Sequence, residues 1–483
     1  DAMSSDRGHE QELAHLEREL KARDLLLDRR SREEMNYEVM HAMERISLGW
    51  LLAAFVLGGL VFLGLGLAWA YQIKWGLGVA GINRPVFWGV YIANFVFWIG
   101  ISHAGTLISA ILRAVGAEWR RPITRAAEAM TVFALMVAGM YPLIHMGRTW
   151  RFYWMLPAPT QRLIWPNFRS PLMWDMMAIL TYLTGSLIFL YLPLIPDMAM
   201  ARDHSKAKIR RKIFQILSLG WRGTEAEWKH LHVAMAIFTF IIIPVAASVH
   251  TIVSWDFAMS NVPGWKSTIF GPYFVVGAIY SGVGALGVVL VLVRKFMGFG
   301  YYLREQHLDN IGKIMLTMTF FWTYFWYNGY LTEWYGAERA LDFLREFMTY
   351  TGPAAPFFYG MLVTNIVIPI ALLWSRAGRT TPWTLALAGI SINIGMYLER
   401  YIIVPVTLSR NRFPFSWGHY VPSPVELLIS LGSLSMFILL YVLLSRIVPL
   451  ISVWEVQEGQ VMHVIRRVGR TLVPGVVHWH KAE

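Results

Sequence analysis

Long apolar runs separated by short charged patches dominate the chain. Ten of them are long enough to cross a bilayer, which takes about 20 residues at about 1.5 Å rise each. They cover residues 47–72, 86–113, 126–147, 173–199, 230–256, 270–293, 312–332, 355–375, 382–404 and 425–448. The runs lack the alternation of a transmembrane strand and far exceed its length of roughly 9–11 residues. The pattern predicts an all-α polytopic membrane protein with ten transmembrane helices. The third run is short and ends at Tyr141-Pro142, and the seventh is dense in aromatic residues. The first begins near Ile46, after a polar stretch, and reads as a retained helix rather than a cleaved leader.

Composition agrees. Of 483 residues, 56% are hydrophobic and 15% charged, against roughly 25% charged in an average globular chain. The chain has no cysteine, which excludes disulfides, thiolate-held iron–sulfur clusters, thioether-linked haem and a cysteine nucleophile within it. Its net charge of +12 would suit nucleic acid, but no basic-aromatic binding module accompanies it. The excess instead lies in loops 113–125, 200–229, 294–313 and 376–381, on the side of the termini. Basic loops face the cytoplasm, so both termini are expected there. Arg148, Arg151, Arg162 and Arg169 run against this bias in one outer loop.

From about Glu10 to Arg45, Leu13, Leu16, Leu20 and Leu27 recur at helical spacing among charged residues. This predicts a helix outside the membrane, packed on a partner in preference to anionic lipid. The tail 450–483, short of apolar mass, reads as a partner-contacting extension. A small-residue stretch in 100–105 is echoed in 277–284, which sets spans two to five and six to nine as similarly oriented four-helix units. The organisation expected is an extension (1–46), a peripheral span (47–72), a first unit (73–256) with an aromatic outer loop at 148–172, a second unit (257–424), and a last span with a cytoplasmic tail (425–483). Such an echo also occurs in transporters, and small residues also serve close helix packing.

Ionisable groups inside hydrocarbon mark a site or an internal pair by default. The candidates are His103, His145, Asp175, His250, Asp256, Glu333, Glu399 and Arg400. His145 ends the third span, Asp175 begins the fourth, Asp256 ends the fifth, Glu333 the seventh, and Glu399-Arg400 lies late in the ninth. With the termini inside, these six gather near the outer face, with His250 about 9 Å deeper than Asp256 by helical rise. Residues 149–174 carry four prolines among tryptophans and arginines; they predict a folded cap over that site and a docking surface.

A lipid-soluble quinol needs an apolar cleft and groups that take protons from two hydroxyls. His145 suits exchange near neutral pH; Asp175 takes the second proton or orients the histidine, and Asp256 and Glu333 pass protons outward. Electrons must leave to a cofactor on a neighbouring subunit. Two alternatives stay open on the residues alone. One is a b-type haem between histidines, although the span model sets His103 deeper than His250; the other is an ion or proton transporter without a redox role. For proton entry from the inner face the candidates are Glu128, Asp309 and Lys313, with His103 and Glu399 further along the path.

The ordered set of His103-Ala104-Gly105-Thr106, Tyr141 to Arg148, Pro171 to Asp175, His250 to Asp256, Gly271-Pro272-Tyr273-Phe274 and Asn393 to Arg400 resembles the NrfD/PsrC-like (polysulfide reductase type) membrane subunits. Across residues 45–450 it is most similar to the ten-span form of bacterial alternative complex III. The resemblance implies two four-helix bundles plus two peripheral helices in a bacterial inner membrane. It implies quinol oxidation at the outer face, inactive in isolation, with His145 and Asp175 as the quinol-site pair and Asp256, Glu333, Arg400 and His250 as neighbours. Menaquinol is the implied quinol, and no redox metal is held by this chain. The implied partners are a periplasmic iron–sulfur subunit, c-type cytochrome subunits, a second homologous membrane subunit and a terminal oxidase, with proton movement accompanying turnover.

Overall fold

The computed structural model describes residues 32–260, 262–337, 341–349, 352–410, 413–458, 461–468 and 471–478. Among the described residues, nine helices are long and apolar enough to cross a membrane: α2 (Leu48–Trp75), α3 (Val90–Ala114), α4 (Thr124–His145), α5 (Pro171–Tyr191), α8 (Glu225–Ala258), α9 (Phe270–Phe296), α12 (Ala355–Leu373), α13 (Pro382–Val406) and α14 (Pro424–Ile447). The expected seventh span is α10 (Glu305–Tyr335), 31 residues long. Its asparagines, glutamates and interfacial aromatics make it too polar to count by composition, so nine rather than ten spans are established. Smaller helices are α1 (Arg32–Glu44), α6 (Leu194–His204), α7 (Lys208–Leu217), α11 (Asp342–Thr349) and α15 (Val453–Glu458). The tail adds a hairpin that the apolar pattern did not predict, β1 (Val461–Val468) antiparallel to β2 (Thr471–His478).

Local signals fix the helix ends. Thr224 and Glu227 form a capping box at the start of α8, and Ser423 and Glu426 another at α14. Pro171, Pro382 and Pro424 occupy first-turn positions, where a missing N–H costs nothing. The third span is longer than Tyr141-Pro142 suggests, because α4 accommodates Pro142 within it and runs to His145. The fourth is shorter than expected: it breaks after Tyr191, and α6 follows.

Helices α3, α4, α9 and α13 are the most buried, whereas α2 turns Leu52, Phe55, Val56 and Phe62 outward. Helix α3 packs on α4, α8 and α9, α5 on α8, and α9 on α10 and α13. The echoed glycines serve these approaches. A Cβ on Gly105 would run into the Ala127 carbonyl of α4, and one on Gly284 into Gly389 and Asn393 of α13.

Contacts between helix ends define two faces. On one, the loop after α2 meets the start of α14 (Gly81 N–H donates to Glu426 Oε2, 2.7 Å) and the Trp88 ring meets Phe257 of α8 at 5.8 Å. On the other, arginines gather. Arg113 and Arg120 pair with the buried Glu455 of α15 at 2.6 and 3.2 Å, Arg121 with Glu458 at 2.8 Å, and Arg125 with Asp197 at 2.6 Å. Burial alone would push the Glu455 carboxyl up, but Arg113 and Arg120 outweigh it and hold it below the usual range. The start of the tail therefore docks on its own chain. So does α1, which buries Met35, Val39 and Met43 and receives the Tyr302 hydroxyl on Glu38 at 2.9 Å. Leu13, Leu16, Leu20 and Leu27 lie outside the described residues.

Candidate functional site

The centre of the site is a pair of carboxyls. Asp175, in the first turns of α5, and Asp256, in the last turn of α8, are both buried and lie within hydrogen-bonding reach of each other. One oxygen on each, Oδ1, has no hydrogen-bond partner. The preceding residues, Trp174 and Trp255, meet edge to face at 6.0 Å, so a Trp-Asp dipeptide on each helix forms one unit. That duplication is legible in the sequence as a signal that the two ends pair.

His145 closes α4, which packs beside α5. Its Nδ1 is buried without a partner. The turn that carries it is held by a residue the motifs did not point to. Gln72 of α2, fully buried, donates to the Ile144 carbonyl at 2.7 Å and accepts from the Tyr91 hydroxyl. Two residues past His145, Gly147 (φ +71°) lies against Leu77, where a Cβ would not fit. From this end leads the 149–170 segment, a 3-10 turn at Thr149–Met155 and then irregular chain, which leaves Trp150, Phe152, Trp165 and Phe168 exposed. It is pinned where Trp174 Nε1 donates to the Phe168 carbonyl at 2.7 Å.

The remaining candidates separate into two other groups. His250 is fully buried with neither ring nitrogen partnered. It stacks on Phe274 (4.8 Å, 20°) on one side and lies 4.6 Å from the His103 ring on the other. Tyr182 continues this column beyond His103 at 4.8 Å, and the Arg400 guanidinium caps it over Phe274 at 4.2 Å. Arg400 pairs with Glu399 at 2.7 Å, and Glu399 accepts from the Tyr273 hydroxyl and from Trp322 Nε1 (3.1 Å). The column thus joins α5, α3, α8, α9 and α13 through the interior. Glu333 lies apart, in a cavity of about 40 Å³ between α9, α10 and α11 that Trp265, Tyr273, Trp326 and Tyr330 also line. Nothing from α4, α5 or α8 lines it, so a shared level did not make Glu333 a neighbour of Asp175.

The expected depth difference between His103 and His250 is also corrected, since their rings touch. Their geometry is unlike that of two axial haem ligands, whose nitrogens must face one another across an iron. Both nitrogens of His103 face backbone carbonyls, Ile99 at 2.6 Å and Ala246 at 2.8 Å, and a neutral imidazole can donate to only one of them.

At the arginine-rich face, Glu128 is buried and accepts from Ser109 Oγ at 2.8 Å, while its Oε2 has no partner. Asp309 is tied to Arg379 at 2.7 Å and to Lys313 at 2.6 Å, the arrangement of an interfacial ion-pair network.

The polysulphide reductase NrfD family model matches residues 78–410. The chain belongs to that family. Its NrfD relatives include a putative membrane subunit of dimethyl sulfoxide reductase from Halobacterium salinarum, 30% identical over 279 residues, 57% of this chain and 58% of the relative. Another is a selenate reductase subunit from Mesobacillus selenatarsenatis, 21% identical over 405 residues, 79% of this chain and 90% of the relative. The chain thus spans less than two thirds of the first relative's length. The NrfD match covers α3 to α13, including all three buried groups described above, and with the apolar helices it makes this a multi-pass membrane protein.

Proposed function

We propose that this NrfD chain is the membrane subunit at which a respiratory complex of the alternative complex III type binds and oxidises quinol, menaquinol in preference to ubiquinol. The observation that carries the reading is the buried Asp175–Asp256 pair with its unpartnered oxygens, Asp175 being on α5, which packs against the helix that ends in His145. A quinol ring entering there donates one hydroxyl to His145 Nδ1 and the other to Asp175. Oxidation releases two protons and two electrons. The protons pass to these two groups and outward through Asp256. The electrons leave the chain, which has no cysteine to hold a cluster, for an iron–sulfur partner docked on the aromatic 149–170 segment. The arginine-rich face is then cytoplasmic, together with both termini, and the site lies at the periplasmic side of a bacterial inner membrane. In this reading α10 is a tenth span, and two four-helix units, 73–256 and 257–424, meet along the histidine column. The complex is completed by c-type cytochromes, a second homologous membrane subunit and a terminal oxidase.

His145→Ala and Asp175→Asn test the site. Each should abolish or severely slow quinol oxidation while the complex assembles with the haem spectrum of its partners intact. Normal turnover in either variant removes that residue from the site. Proton movement is part of the proposal, with Glu128 as the inner entry: Glu128→Gln should lower the protons moved per quinol while most electron transfer persists, and an unchanged ratio would discard that role.

The relatives' names favour a second version in which the same quinol site feeds a reductase of the dimethyl sulfoxide or selenate type. Composition of the purified complex decides between them. Bound c-type haem and a second NrfD-like subunit accompany the first, and a catalytic reductase subunit the second.

A further inference from the structure

The face opposite the carboxyl pair carries a short helix with no role in quinol chemistry. Along α7, Ile209, Ile213 and Ile216 recur at intervals of four and three residues and form one stripe. All three are exposed, at 79%, 47% and 67%, and Leu219 just beyond the helix continues the stripe at 68%. The opposite side is anchored. Phe214 is buried, and Arg210 lies over its ring while pairing with Glu44 at 3.7 Å and donating to the Arg446 carbonyl at 3.2 Å.

The helix is thus fixed to the protein by one side and turns an apolar stripe away from it. Lys206, Lys208, Arg211 and Lys212 are exposed beside that stripe and make no ion pair among the described residues. No acidic residue occurs between Asp203 and Glu225.

The depth of the helix is fixed as well. The Tyr191 hydroxyl, at the last residue of α5, donates to the Leu217 carbonyl at 2.6 Å, so α7 lies level with the end of a membrane-crossing helix. Trp221 and Trp228 follow directly and pack edge to face at 5.1 Å, as rings at headgroup level do.

We propose that α7 is a docking surface for acidic phospholipid. Its isoleucines enter the acyl boundary, and Lys206, Lys208, Arg211 and Lys212 hold anionic headgroups of the adjoining leaflet. Charge complementarity selects this occupant: four unpaired cations beside an apolar stripe at bilayer level suit an anionic lipid surface, and basic side chains there each add substantially to binding. This inference is independent of the quinol reading, because the helix sits at the far end of α5 from Asp175.

The test uses the intact complex in nanodiscs of phosphatidylcholine alone or of phosphatidylcholine mixed with phosphatidylglycerol, read by hydrogen exchange over residues 206–219. Phosphatidylglycerol should slow exchange there roughly tenfold relative to phosphatidylcholine, and added salt should remove much of the difference. The triple variant Lys208→Gln, Arg211→Gln, Lys212→Gln keeps Phe214 and good helix formers, so it should fold and turn over quinol normally while losing the discrimination between lipids. Equal protection in both nanodiscs, or equal protection in detergent without phospholipid, would overturn the proposal and identify a protein partner or a neutral contact. Discrimination that persists in the triple variant would overturn it too.

Discussion

Gln72 offers a sharp test of how the site is held. It lies on α2, a span with few of its side chains buried and a small-residue seam against α14, yet its side chain is fully buried and satisfies two groups. The Ile144 carbonyl is in the last turn of α4, where helical acceptors run out of intrahelical donors. It also accepts from Gly147 N–H at 3.2 Å, so Gln72 supplies its second bond. Gln72→Leu keeps the volume and removes both interactions, leaving the Tyr91 hydroxyl and one carbonyl lone pair without partners in an apolar setting. A buried group left unpaired costs about 1–3 kcal/mol. The carbonyl retains one bond and falls at the low end, so the two together should cost about 2–4 kcal/mol. That is enough to let the His145 turn shift, and a misplacement of about 1 Å at a reacting group costs on the order of 100-fold in rate.

Turnover of the purified complex should therefore fall about 10- to 100-fold in kcat, with assembly preserved. Gln72→Glu adds a second readout. Only its protonated carboxyl can donate to Ile144, so its turnover relative to the native complex should rise on acidification. An assembled Gln72→Leu complex with native kcat would refute the claim that α2 positions His145. If His145→Ala were silent as well, the quinol-site reading itself would fall, which keeps the two failures distinct.

Two further outcomes follow from buried charges. Arg400→Leu leaves the buried Glu399 facing only Tyr273 and Trp322, and Glu399→Gln strands the equally buried Arg400 beside an amide, so each should destabilise the chain by about 3–5 kcal/mol; a melting temperature unmoved by either variant would contradict the pairing. Glu455 is held below its ordinary value in the folded protein, so its contribution is present above the unfolded glutamate value of about 4.3 and is lost as pH falls through the depressed folded value. Acidification from about pH 6 to about pH 3 should release α15, seen as faster hydrogen exchange over residues 453–458, and Glu455→Ala should release it at neutral pH; a tail still protected in that variant would mean that Trp454 packing alone holds it.

Much of the architecture was legible because hydropathy along a chain reports membrane depth directly. Most of the apolar runs fall within a few residues of the helices, the fourth overrunning the break after Tyr191, and caps such as Thr224–Glu227 explain the longer starts. The seventh run shows where that signal thins, since α10 carries Trp322 against Glu399 and Trp326 and Tyr330 in the Glu333 cavity, while its outward face is built of Tyr and Trp as well as Phe, rings that hydropathy scores low. The docking of the tail was hidden for a different reason. Residues 450–458 bury Leu450, Ile451, Val453 and Trp454, too short an apolar stretch to stand out, and their ion pairs run through Glu455 and Glu458 to arginines of α3 and of the loop that follows it, which no local pattern in 450–458 announces.

Within the site, level was readable and neighbourhood was not. A rise of about 1.5 Å per residue places Asp175, Asp256, Glu333 and Glu399 near one face from sequence alone. Which of them touch depends on helix order and rotation, which are set by contacts such as Gly284 against Gly389 and Gly105 against Ala127. In the folded chain Asp175 meets Asp256, Arg400 beside Glu399 reaches over Phe274 of the histidine column, and Glu333 lines its own cavity. The His103 expectation failed on the same ground: counting residues from a span end assumes that every helix begins at the same height, whereas α3 and α8 start and stop at different ones, so thirteen residues into one helix meets eight from the end of the other. Asp256 and His250 show the same limit within one helix. They lie six residues apart, about 240° around α8, so Asp256 turns to Asp175 while His250 turns to Phe274 and the column that reaches Arg400. The sequence names both residues, and their spacing separates their faces, but what each face meets is decided by neighbouring helices.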